Sequence, residues 1–156
     1  MSSQLMSPQR IVRWLVVACA LVFTNAAAAA PEIYTGIVRG TAVGGYDPVA
    51  YFTQGKPVPG RRDITLVWNN VTWRFANEKN RELFKAKPEA YAPQYGGYCA
   101  YAVSQGYTAH GDPRHWSVVG GRLYLNYNAS VKRTWDKDQG GYIAKGDKHW
   151  PKVLEK

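Results

Sequence analysis

The chain has 156 residues, 20 of them basic and 11 acidic, with a net charge of +9 and 46% hydrophobic residues. That length suits one compact domain with a sizeable core. The lysines and arginines are scattered, with no run longer than Arg61-Arg62, so the basic balance speaks for attraction to anionic envelope surfaces and not for a nucleic-acid partner.

At the start, Arg10 and Arg13 precede a ten-residue apolar run, Trp14 to Phe23, and an alanine block, Ala26 to Ala30. This is the pattern of a Sec-type signal peptide over residues 1–30 and places the protein in the periplasm or outside the cell. The run falls well short of the roughly twenty apolar residues that span a bilayer, and no later segment reaches that length, so no transmembrane segment is expected in the mature chain. Signal peptidase disfavours proline directly after the cut, which moves the expected bond to Ala28 or Ala29. Val16-Val17-Ala18-Cys19 resembles a lipobox, but the apolar run continues through Leu21, Val22 and Phe23 where a lipobox should end it, which argues against a lipid on Cys19. Two of the 20 basic residues leave with the signal and no acidic ones do, so the mature charge is +7. Cys99 then has no intramolecular partner and is free, metal-bound or paired between chains.

Residues 31–42 lack periodicity and read as an extended lead-in; the domain runs from 43 to 156. Around Val49 to Phe52, glycines and prolines on both sides predict a short strand or turn-rich arm. Ile64 to Trp68 and Val71 to Phe75 are β-rich runs joined by Asn69-Asn70, a pair that tolerates the positive φ of a tight hairpin turn. Asn77 is placed to cap a helix over 78–87, with Leu83 and Phe84 inward and Pro88 as its stop. His115 to Val119 and Arg122 to Asn126 flank Gly120-Gly121 as a second hairpin, and Asn128 caps a last helix carrying Val131 and Trp135 on one face. Trp150, before Pro151, is expected to pack its indole back onto the domain. Hairpin followed by helix recurs loosely, but no repeat of fixed period emerges. The fold class expected is α+β: two β-hairpins, each followed by a helix.

Gly45-Tyr46-Asp47-Pro48-Val49, the hairpin end Trp73-Arg74-Phe75-Ala76, and Asn80-Arg81-Glu82-Leu83-Phe84 through Pro88-Glu89-Ala90-Tyr91 resemble, in that order, the YHS domain, over about residues 44–91. Tyr95 to Tyr101 and Leu123 to Asn128 look like the longer exported branch of that family. Metal-binding members of the wider family resemble treble-clef zinc fingers, and residue-by-residue transfer puts Ala50, Ala76 and Asn80 where thiolates would stand. None of the three offers a soft ligand, so the resemblance implies the fold without the family's usual metal site. The added second half offers core enough to replace the metal as a staple.

The residues leave three functions open. Cys99 with His110 and His115, which flank the turn Gly111-Asp112-Pro113-Arg114, is a Cys-His-His set suited to copper or zinc; the plainer alternative is a small buried hydrophobe and two turn histidines. Tyr95, Tyr98 and Tyr101 could line an aromatic ligand pocket or stand as core with polar tips. Asp47 either binds a ligand or fixes the arm through backbone hydrogen bonds. No Ser-His-Asp order, phosphate loop, paired carboxylates or Cys-x-x-Cys appears. The expectation is therefore a non-enzymatic accessory binding protein of the bacterial cell envelope, handling copper or zinc. The alternatives are a metal-free module that binds a small ligand or an envelope protein through its aromatic surface, and a thiol-dependent redox factor working through Cys99.

Overall fold

The fold is that of a computed structural model describing residues 29–155; of the signal sequence expected over residues 1–30, residues 1–28, with Cys19, lie outside the described residues. The architecture is α+β, built on two separate antiparallel hairpins with helices around them. No helix among the described residues is long and apolar enough to cross a membrane.

The chain builds one structural unit twice. The first unit starts with a tight turn at Ala42–Gly45, then helix α1 (Ala50–Thr53), a hairpin of β1 (Thr65–Trp68) and β2 (Val71–Arg74), and helix α2 (Glu78–Ala86). A short helix α3 (Pro88–Tyr91) leads into the second unit: a turn at Gln94–Gly97, helix α4 (Ala100–Ser104), the hairpin of β3 (Asp112–Val119) and β4 (Arg122–Asn126), and helix α5 (Ala129–Asp136). Helix α6 (Gln139–His149) and a final turn at Lys152–Glu155 close the chain.

The correspondence extends to single residues. Val43 and Gly44 of the first turn have φ of 52° and 57°, and Tyr95 and Gly96 of the second have 54° and 59°. A left-handed conformation is costly for a β-branched or bulky residue, so both units hold strain at the same place. The residue four positions after each, Asp47 and Cys99, donates its N–H across the unit, to Val58 O at 2.9 Å and Ala109 O at 2.8 Å. The hairpins turn on Asn69-Asn70 and Gly120-Gly121, all at positive φ. Leu66 pairs with Trp73 as Ser117 pairs with Tyr124. Asn77 and Asn128 cap their helices by accepting from Asn80 N and Val131 N, each at 2.9 Å. A true internal repeat therefore stands where the sequence showed only a loose recurrence, and few side chains besides Gly-Gly-Tyr and the capping asparagines mark it.

Each unit has its own core, and β4 locks the two together. Successive side chains on a strand point to opposite faces, so Leu123 and Leu125 enter the first core, with Val49, Trp73, Phe75 and Phe84, while Tyr124 enters the second, with Tyr95, Val103 and Trp135. Tyr51 of α1 adds a buried bond across the seam, donating to Pro113 O at 2.9 Å.

Both hairpins, both capped helices and the inward turn of Trp150 are as the sequence predicts; Trp150 stacks against Tyr95 and Tyr98 at 5.8 and 6.2 Å. Three expectations need correction. Val49 to Phe52 is not a strand or arm but leads into α1, because Asp47 holds the amides of Val49 and Ala50 in a helical start. The extended lead-in over 31–42 is also part of the core: Ile33 and Thr41 are buried, and Tyr34 N donates to Gly96 O at 2.9 Å. The helix ending at Trp135 is not the last, since α6 follows, capped by Asp138 accepting from Gly141 N at 3.0 Å.

Candidate functional site

The two units differ most at the position occupied by Asp47 in one and Cys99 in the other. Asp47 is fully buried. Its Oδ1 accepts from Val49 N at 2.8 Å and Ala50 N at 3.3 Å, and its Oδ2 from Ala76 N at 2.8 Å and the Asn80 side-chain amide at 2.7 Å. Ala50, Ala76 and Asn80, the positions where the resemblance places thiolates, thus all converge on one carboxylate. Four donors fill the acceptor sites of a carboxylate, so Asp47 acts as a polar staple joining α1, the exit of β2 and α2, and has no lone pair to offer a ligand.

In the second unit Cys99 takes that place, and Val131 stands where Asn80 stands in the first. A valine has nothing to donate. Cys99, 1% exposed, makes a weak contact from Sγ to Asn126 Oδ1 at 3.8 Å. Burial pushes its thiol pKa up, against weaker opposing backbone hydrogen bonds, so the thiolate that attacks disulfides or binds soft metals is disfavoured. In place of the staple is a cavity of about 240 Å³, lined by Cys99, Tyr101, Ala102, Tyr107, Ala109, Tyr127 and Val131. Its wall is almost wholly hydrocarbon and aromatic ring. Tyr107 and Tyr127, 51% and 42% exposed, stand at its mouth.

The expected Cys-His-His set does not form: among the described residues no three His, Cys, Asp or Glu side chains gather as metal ligands. The ring of His110 packs on Tyr127 at 4.3 Å and stacks on Tyr34 at 6.2 Å. His115 lies within an irregularity in β3 that falls between Asp112 and Trp116. Sequence closeness to one turn did not translate into a ligand set: His110 packs between two tyrosines and His115 sits in the bulge. His149 is tied by Nδ1 to Val103 O at 2.9 Å.

The tyrosines divide likewise. Tyr95 donates to Asp147 Oδ1 at 2.8 Å and Tyr98 to Pro31 O at 2.7 Å, so both are core residues whose hydroxyls tie down α6 and the N-terminal segment. Burial, reinforced by Asp147, raises the Tyr95 pKa, and burial raises that of Tyr98. Tyr101 alone of the three reaches the Cys99 cavity, its ring also meeting Tyr142 at 5.2 Å. Tyr127 and Val131 were missed as site residues; comparing Val131 with Asn80 by repeat position would have exposed the lost donor. Two further polar groups of this unit, Asn126 Nδ2 and Trp135 Nε1, are buried without a hydrogen-bond partner. They stand where the first unit has Phe75 and Phe84, whose rings pack at 5.3 Å.

No family model, curated protein or solved structure matches the chain.

Proposed function

We propose that the protein is an exported, non-enzymatic accessory binding protein of the bacterial cell envelope, of YHS type, that holds a small apolar ligand in the Cys99 cavity without metal. The observation that carries this reading is the contrast between the two units. One fold position is locked by a buried carboxylate with four donors and, repeated, becomes an apolar cavity open between two half-exposed tyrosines. Cavities lined by aromatic and aliphatic groups with few polar atoms favour apolar ligands. The convergence of Ala50, Ala76 and Asn80 on Asp47 supports the YHS reading, since a treble clef brings those positions to one point. Copper or zinc handling loses its proposed ligand set, and the buried thiol gives redox chemistry no exposed nucleophile.

Indole serves as a probe. Titrated into the isotope-labelled protein, it is expected to shift the amide resonances of Cys99, Ala102, Ala109 and Val131 saturably, and Val131→Trp, which fills the cavity, should abolish those shifts while the thermal midpoint is held. Shifts confined to other regions, or shifts that persist in the filled variant, would reject the cavity as the site.

A further inference from the structure

A second cleft, of about 300 Å³, lies where the N-terminal segment, the β1–β2 hairpin, the stretch from α3 to Gly96 and Trp150 meet, walled by Trp68, Trp73, Tyr95 and Trp150 and carrying Glu32, Glu89, Asn69 and Gln94. Both carboxylates are unneutralised. Asp63, Glu78, Glu82, Asp112 and Asp136 are in ion pairs. Asp47, Asp138 and Asp147 accept hydrogen bonds. Among the described residues only Glu32, Glu89 and Glu155 have neither, and two of these three line one cleft. In a chain with 20 basic residues to 11 acidic ones, two carboxylates without a basic partner thus stand beside the same indoles.

The backbone that carries the carboxylates is also held in place. The backbone at Glu32 is pinned on both sides, by Tyr98 donating to Pro31 O at 2.7 Å and by Tyr34 N donating to Gly96 O at 2.9 Å. A Cβ on Gly96 would overlap Glu32 O, so the left-handed glycine at φ 59° is what lets the segment sit this close. Glu89 follows Pro88 in the first turn of α3. Trp68 meets Trp73 edge-on at 5.6 Å, so the two rings fix each other's orientation.

We infer that this cleft binds a small organic cation of the alkylated ammonium class. Aromatic faces attract a cation through the ring quadrupole, and an alkylated ammonium loses little hydration on leaving water for such a wall. The two carboxylates supply the countercharge that the indoles lack. A divalent metal ion would need several oxygen ligands in its first shell, and among the described residues no three His, Cys, Asp or Glu side chains gather as ligands here or elsewhere. A neutral apolar ligand would leave the carboxylates unused. This site is separate from the Cys99 cavity, and neither reading depends on the other.

The test compares choline with 3,3-dimethyl-1-butanol, its neutral isostere, by tryptophan fluorescence at matched ionic strength. Choline should bind saturably and about tenfold or more tighter than the alcohol. The double variant Glu32→Gln/Glu89→Gln touches only exposed side chains and should keep the fold; it should weaken choline by about tenfold and leave the alcohol unchanged. Trp150→Leu should weaken both, with circular dichroism showing whether the fold is kept. Equal affinity for choline and the alcohol, no saturable choline response, or an unaltered choline affinity in the double glutamine variant would overturn the proposal.

Discussion

Replacing Asp47 with alanine removes the group on which α1, β2 and α2 meet. The change strands four donors: the amides of Val49, Ala50 and Ala76 and the side chain of Asn80. The first two belong to a local turn worth about 1 kcal/mol. The Ala76 amide and the Asn80 side chain, cut off from water, cost about 1–3 kcal/mol each. Desolvation of the carboxylate itself is recovered and offsets part of this, leaving a net loss of about 3–5 kcal/mol. That is a large share of the ~5–15 kcal/mol typical of a domain. Asp47→Asn separates charge from shape. Each carboxylate oxygen faces two donors, so either orientation of the new amide sets its NH₂ against N–H groups, and the loss should approach that of alanine. Urea melts followed by tryptophan fluorescence would report it, since Trp73 is only 1% exposed. A loss below about 1 kcal/mol in either variant would refute the staple.

Cys99 has a raised folded pKa, so its contribution to stability is fully present below the unfolded thiol value of about 8.5 and is lost as pH rises from there toward the folded value; Cys99→Ala should therefore lose less stability than wild type between neutral pH and about pH 10 in parallel urea melts. Trp135→Phe removes an indole N–H that has no partner and restores the residue type found at Phe84 in the first unit; its cost should stay under about 1–2 kcal/mol, well below the ~3–5 kcal/mol of a typical large truncation, and thermal unfolding would measure it. Ala30 N donates to Leu154 O at 2.8 Å; if a signal sequence is removed as the sequence predicts, intact-mass measurement should find Ala29 or Ala30 at the new start, keeping this bond, and a chain beginning at Pro31 would contradict that expectation.

What the sequence made legible was local chemistry. Asn69-Asn70, Gly120-Gly121 and the capping pair Asn77 and Asn128 each act within a few residues, and all did as their side chains dictate. Helix α6 was hidden because Gly140, Gly141 and Gly146 break its pattern, yet Gly146 is required: a Cβ there would stand 2.6 Å from the Tyr95 hydroxyl. The short α1 was hidden because four apolar residues in a row read equally as strand, and what decides is a carboxylate whose other partners lie 29 and 33 residues away. The same distance problem misled the metal reading. His110 and His115 are close in sequence, but convergence on Cys99 depends on a bulge and on ring packing that no local pattern reports. The repeat escaped because its equivalent positions carry different chemistry, Asp47 against Cys99 and Asn80 against Val131, and that difference is the source of the proposed site.

Metal depletion followed by competition for Cu(I) decides whether a carboxylate staple in one unit and an apolar cavity in the other leave the protein independent of metal. A chelator is expected to leave the thermal midpoint unchanged, and the depleted protein to fail to take Cu(I) from a competing chelator in native mass spectrometry. One bound copper per chain, lost in Cys99→Ser, or a midpoint that collapses on chelation, would contradict that independence.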